Sequence, residues 1–239
     1  ANYETNISDF QLVSYILGRC ATVDEVKAEI ARVHIHGFDP RSSTVHWRFA
    51  EPSGRQIVLE IIDGKCVFYE NKLGVLTNSP SFDWQLTNLN NYVNLMPGRT
   101  EPHTLGNMSL SSFGGGSAMI GLPGDFTPPS RFVRAAFFQN TAPQKPDAEG
   151  SVFTAFHILG SMEIPIGAQF PVDETPADIP SATQCTCVTD MSGLKFYYRS
   201  MYDGGIRCID LKEIDFKKIG LKSEPLVPSK KEFVHHIRF

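Results

Sequence analysis

Two segments of this sequence combine residue types that chemistry can use with local features that would hold them still. In Val75-Leu76-Thr77-Asn78-Ser79-Pro80-Ser81-Phe82, an apolar run ends at Thr-Asn-Ser-Pro and a helical pattern starts within a few residues. A side-chain amide at a strand end can aim its N–H2 group into a cleft, as an oxyanion hole requires. Asn and Pro are also turn residues, and on local sequence alone a turn is the better reading of Asn78. The second segment is Gly121-Leu122-Pro123-Gly124-Asp125-Phe126-Thr127-Pro128-Pro129-Ser130-Arg131-Phe132. A guanidinium in the first turn of a helix, after a rigid Gly/Pro approach, can stabilise a thiolate or fix a carboxylate. Taken alone, Arg131 reads better as a structural arginine paired with Asp125.

Other chemical signals are weaker. The cysteines (Cys20, Cys66, Cys185, Cys187, Cys208) are five, an odd number, with no disulfide spacing. They read as free thiols, which fits a reducing compartment and points to the cytoplasm, with the periplasm left open. Cys185-x-Cys187 lacks a second ligand pair, and His34-x-His36 lacks a third ligand, so no metal is expected. His235 and His236 point to opposite faces if extended. The Gly114–Gly116 run has no strand–loop–Lys–Ser/Thr context, no Gly-x-Ser-x-Gly elbow occurs, and no cofactor is expected.

The elements that must position Asn78 and Arg131 are legible in the pattern. Ser8-Asp9-Phe10-Gln11 and Thr22-Val23-Asp24-Glu25 match the capping box and open two helices. The first carries Phe10, Val13 and Leu17 as its apolar stripe and stops at Gly18; the second carries Val23, Val26, Ile30 and Val33. Short strands follow over 45–50, 56–62, 66–70 and 74–77, with Asp63-Gly64 as a hairpin turn. Residues 82–95 return to helical spacing with Phe82, Leu86, Leu89 and Val93. A long irregular stretch over 96–129 precedes the proline-started helix that holds Arg131, Phe132, Ala135 and Ala136. A further helix over about 150–162 carries Val152, Phe156 and Leu159. A second meander spans 183–189, 194–201 and 206–211, and the tail ends in a short strand over Phe233–Ile237. The reading is a single α+β domain over 1–239, a four-layer αββα sandwich of two antiparallel sheets with the helices on the outer faces.

Composition removes whole classes of function. The 239 residues carry 22 Lys+Arg against 26 Asp+Glu, a net charge of −4, with 41% hydrophobic residues. That balance argues against nucleic acid, which calls for a basic field. No apolar run reaches the roughly 18–20 residues that span a bilayer, so no membrane partner is expected. The start, Ala1-Asn2-Tyr3-Glu4, has neither the basic nor the apolar region of a signal peptide.

Taken together, Val75–Leu89 and Gly121–Phe132 closely resemble the choloylglycine hydrolase family, which groups conjugated bile salt hydrolases with penicillin V acylases. The similarity extends through Ile16–Val26 and Phe156-His157-Ile158-Leu159. It implies an N-terminal nucleophile hydrolase fold and hydrolysis of a small-molecule linear amide by an N-terminal cysteine, with that residue's own α-amine as general base. By the same resemblance Asn78 is the oxyanion-hole asparagine and Arg131 the arginine beside the thiolate. The family's nucleophile would lie roughly a hundred residues ahead of Ala1, within the length of one small domain. The chain is therefore expected to be the C-terminal two-thirds of the fold, inactive alone. A non-catalytic chain keeping a sterol-sized pocket is the alternative. The stretch Met96–Asp125 resembles an extension used for tetramer assembly, so a homo-oligomer is expected.

Overall fold

The computed structural model describes residues 5–38, 45–168, 170, 174, 182–227, 230, 231, 233, 234, 236 and 237. Its class is α+β, and the chain divides into two compact units, residues 1–141 and 142–239.

The first unit opens with β1 (Asn6–Ser8), α1 (Asp9–Leu17), α2 (Val23–Ile30) and β2 (His34–His36), and β2 pairs in parallel with β1. Both helix starts form the reciprocal hydrogen bonds of a capping box, Ser8 with Gln11 and Thr22 with Glu25. The buried face of α1 is not the expected one. Leu12 and Ile16 are buried, whereas Phe10 is 67% and Leu17 77% exposed, and Val13 is exposed too. Apart from Asp9, Gln11 and Ser14 this helix is apolar on every side, so a period of 3.6 fits either stripe. The stripe taken is the one that meets Ile7, Ile35, Val23, Val26 and Ile30 in a single cluster.

The antiparallel meander follows as β3 (Trp47–Ala50), β4 (Gln56–Ile62) and β5 (Lys65–Glu70), in the order β3-β4-β5. Asp63 and Gly64 both adopt positive φ in its tight turn, the backbone that Asp-Gly tolerates. Ile57, Val58 and Leu59 of central β4 are all fully buried. Ile57 and Leu59 face the α1/α2 cluster, while Val58 joins Val75, Phe82, Phe132 and Ala136 on the other side. The alternation of a strand thus splits its apolar residues between two cores.

Residues 74–77 are not a fourth strand. Asn71 turns the chain out of the sheet by donating from Nδ2 to Val75 O at 3.0 Å and accepting from Gly74 N at 2.9 Å. The segment that follows is held by side chains instead of a ladder. Gly74 has φ +71°, and a Cβ there would come within 2.3 Å of Gln139 Nε2. Next, α3 (Phe82–Asn88) tightens into a 3-10 turn over Leu89–Tyr92, and Val93 is exposed rather than inward. The stretch over 96–129 is also more ordered than expected: it contains the hairpin β6 (His103–Leu105) and β7 (Met108–Leu110) and a 3-10 turn at Ser117–Met119. The unit ends with α4 (Pro128–Thr141), which buries Phe132, Val133 and Ala136.

The second unit packs α5 (Ala148–Gly160) on a sheet of β8 (Cys185–Asp190), β9 (Lys195–Ser200) and β10 (Asp203–Asp210), ordered β10-β9-β8. Val152, Phe156 and Tyr197 form its buried cluster, with Val188 and Ile206 packed against it. The expected strand over Phe233–Ile237 includes His235, which lies outside the described residues, and the described residues there form no strand.

Candidate active site

The structure brings Asn78 and Arg131 together. Arg131 Nη2 donates to Asn78 Oδ1 at 2.7 Å across 53 residues of sequence, and Arg131 Nε donates to Phe126 O at 3.0 Å. A guanidinium can only donate, so the amide oxygen of Asn78 must face it and the N–H2 group must face away. Among the described residues that Nδ2 group has no partner, and Asn78 is exposed. The pair therefore presents an oriented amide donor beside a fixed positive charge.

Each partner is held by its own element. Arg131 sits in the first turn of α4, where Pro128 occupies the first helical position and Arg131 N donates to Thr127 O at 3.0 Å. Asp125 is not its ion-pair partner. The Asp125 carboxylate accepts instead from Thr127 N at 2.9 Å, from the Thr127 hydroxyl at 2.6 Å and from the Ser130 hydroxyl at 2.6 Å. The Ser130 and Thr127 hydroxyls, followed by the Thr127 amide, hold its pKa down at about 2. Arg134 donates to Pro123 O at 2.7 Å and Asp125 O at 2.6 Å, and so fastens the Gly/Pro approach to α4. Burial, and then the neighbouring Arg134 charge, lower the Arg131 pKa. Neither arginine forms an ion pair with a carboxylate among the described residues, though the Asp125 charge acts on Arg134 from nearby.

On the other side, Thr77 Oγ1 donates to Pro128 O at 3.0 Å, tying the Asn78 segment to the start of α4. Gln85 Nε2 donates to Asn78 O at 3.4 Å. A cleft of about 180 Å³, lined among others by His46, Glu60, Ser79 and Ser81, borders the segment. The sequence reading missed His46, Glu60 and Arg134. Glu60 carried a signal: it is a lone carboxylate inside the apolar run Ile57–Ile62, and buried acids need a reason.

The remaining candidates lie on other elements than those that carry Asn78 and Arg131. His34 and His36 share the exposed face of β2. Cys185 and Cys187 lie in the second unit with sulfurs 3.4 Å apart; burial, followed by the neighbouring Cys185 thiol, pushes Cys187 up to about 11. No three potential metal ligands gather among the described residues, and no helix there is long and apolar enough to cross a membrane.

Residues 1–224 match the family described as linear amide C–N hydrolases, choloylglycine hydrolase family. The chain belongs to the choloylglycine hydrolase family. It is 34% identical over 215 residues to a bile salt hydrolase/transferase of Clostridium perfringens, covering 88% of this chain and 64% of that protein. It is also 34% identical over 227 residues to one of Lactiplantibacillus plantarum, covering 93% and 68%. The chain thus spans about two-thirds of the length of these relatives. A solved cysteine-to-alanine mutant of the conjugated bile acid hydrolase from Clostridium perfringens superposes with a TM-score of 0.84 at 30% identity, over 100% of this chain and 72% of that one. The penicillin V acylase of Agrobacterium tumefaciens, at TM-score 0.66 and 23% identity over 88% and 58%, shares the fold.

Proposed function

We propose that the protein hydrolyses linear amide bonds of small molecules, conjugated bile salts or penicillin V-like amides, through an N-terminal cysteine contributed by residues ahead of Ala1. The observation that supports this most is the Arg131–Asn78 hydrogen bond, because it frees and aims the Asn78 amide donor within a family of amide hydrolases. In the proposed reaction the cysteine sulfur adds to the amide carbonyl and its α-amine takes the thiol proton. Asn78 Nδ2–H donates to the oxyanion that forms, and Arg131 supplies positive charge near the sulfur. Collapse breaks the C–N bond, the amine leaves with the proton, and water then hydrolyses the thioester.

The test is turnover of a conjugated bile salt and of penicillin V by the chain preceded by the proposed cysteine-bearing segment, with and without thiol alkylation, beside the 239-residue chain alone. Alkylation-sensitive turnover by the former and none by the latter is expected. Turnover by the 239-residue chain would overturn the assignment of the nucleophile.

The assembled protein is proposed to be a tetramer that works in the cytoplasm, where its five free cysteines stay reduced. Exposed Met96, Leu105, Met108 and Phe113 on the hairpin stretch support an assembly surface. Light scattering is expected to give four times the chain mass at micromolar concentration, and a monomer mass would refute this.

A further inference from the structure

Asn78 sits in a segment, Thr77–Phe82, that belongs to no helix or sheet until Phe82 begins α3, yet both of its ends are pinned by one pair of side chains. His46 precedes β3, and the β3–β4 register, in which Trp47 faces Leu59, sets it opposite Glu60. His46 Nδ1 lies 3.2 Å from Glu60 Oε1, and His46 Nε2 bonds to Thr77 O. The same Glu60 Oε1 accepts from Phe82 N at 2.9 Å. A continuous chain of hydrogen bonds thus runs from the carbonyl just before Asn78 to the amide that opens α3.

The proton count of this chain is constrained. Thr77 O only accepts, so Nε2 must carry a hydrogen. Nδ1 and Glu60 Oε1 then share the single hydrogen of their own contact, beside the one on Nε2. Glu60 is 5% exposed within the otherwise apolar run Ile57–Ile62. A well-packed apolar pair at these two positions would avoid the desolvation cost of the charges. What an apolar pair would not supply is a donor for Thr77 O and an acceptor for Phe82 N.

We infer that His46 and Glu60 are positioning residues that hold Asn78 at the geometry its donor role needs. This rests on the amide-hydrolase reading for its consequence in catalysis, but the placement of Asn78 is observable without it. The pair acts through the two backbone groups that bracket the segment, Thr77 O and Phe82 N.

The test compares Glu60→Leu with Glu60→Gln in the chain preceded by the proposed cysteine-bearing segment. Leucine keeps bulk and removes the acceptor, whereas glutamine keeps an oxygen for Phe82 N. The expected result for Glu60→Leu is a fall in kcat of about 10- to 100-fold with KM little changed, since a misplacement of about 1 Å is worth that much. Glu60→Gln is expected to recover most of the rate. The second readout is the side-chain amide resonance of Asn78, assigned by its loss in Asn78→Ala. It is expected to shift or broaden in Glu60→Leu and to stay in place in Glu60→Gln. An unmoved Asn78 resonance in a folded Glu60→Leu variant would overturn the inference. Full activity in Asn78→Ala would instead overturn the functional reading, and the resonance would still decide whether the pair places Asn78.

Discussion

Asn78→Ala is expected to lower the amide turnover of the active protein by about 10²- to 10³-fold, the usual consequence of removing one oxyanion donor. The loss should fall on kcat, because the oxyanion exists only after the nucleophile has added, and a bond made only in the transition state leaves ground-state binding alone. Two features of the structure make the experiment clean. Asn78 is exposed, so truncation opens no core cavity, and stability should change by about 0.5 kcal/mol or less. Asn78→Asp separates donor from scaffold. An aspartate keeps an oxygen for Arg131 Nη2, now as an ion pair, but has no N–H2 group, and its charge would repel the oxyanion. Both variants should therefore fail by kcat while remaining folded by circular dichroism. Wild-type turnover in Asn78→Asp would show that the contact with Arg131, and not the amide donor, is what matters.

How much of this site could be read beforehand differs from residue to residue. The capping boxes at Ser8 and Thr22, the Asp63-Gly64 turn and the proline start of α4 are local devices, and all formed where their residues lie. The two meanders likewise follow from alternation and turn residues. Periodicity failed where both answers were apolar: α1 offers two hydrophobic stripes, and only the partners Ile7, Ile35 and Ile30 choose between them. It failed again at Val75, which looks like a strand residue but belongs to a connector whose hydrogen bonds go to Asn71 and whose apolar side chain joins the Phe132 cluster. The partnership of Asn78 with Arg131 was visible only through family resemblance, since a sequence separation of 53 carries no local signal of contact. Asp125, the obvious local candidate for Arg131, is taken up by the Thr127 amide and the Thr127 and Ser130 hydroxyls, and it is the Phe126 carbonyl that orients the guanidinium. His46 and Glu60 were hidden for a third reason. Their meeting follows from the register of a hairpin, and their role follows from where a later loop passes over it.

Phe132→Ala is the substitution expected to cost the most stability, about 3–5 kcal/mol by urea unfolding of the chain. Phe132 follows Arg131 directly in the first two turns of α4 and is fully buried. Its ring meets that of Phe82 edge-on, with centroids 6.0 Å apart and planes at 72°, and Phe82 in turn lies 5.6 Å from the ring of Tyr69 on β5. This aromatic row links α4, α3 and the sheet, so the elements that carry Arg131 and the end of the Asn78 segment share one packed core. Truncation removes the edge-on contact as well as the buried area, and the neighbours Val58, Val75 and Ala136 are too small to refill the space. A loss of this size is a large part of the roughly 5–15 kcal/mol by which domains are stable. Phe132→Leu keeps most of the volume and should lose distinctly less, which separates cavity formation from disruption of the helix start. In any Phe132→Ala fraction that remains folded, the Asn78 side-chain resonance should broaden, because α4 and α3 are no longer held at a fixed spacing. A destabilisation below about 1 kcal/mol would mean that the row is not the element that joins the two halves of the site.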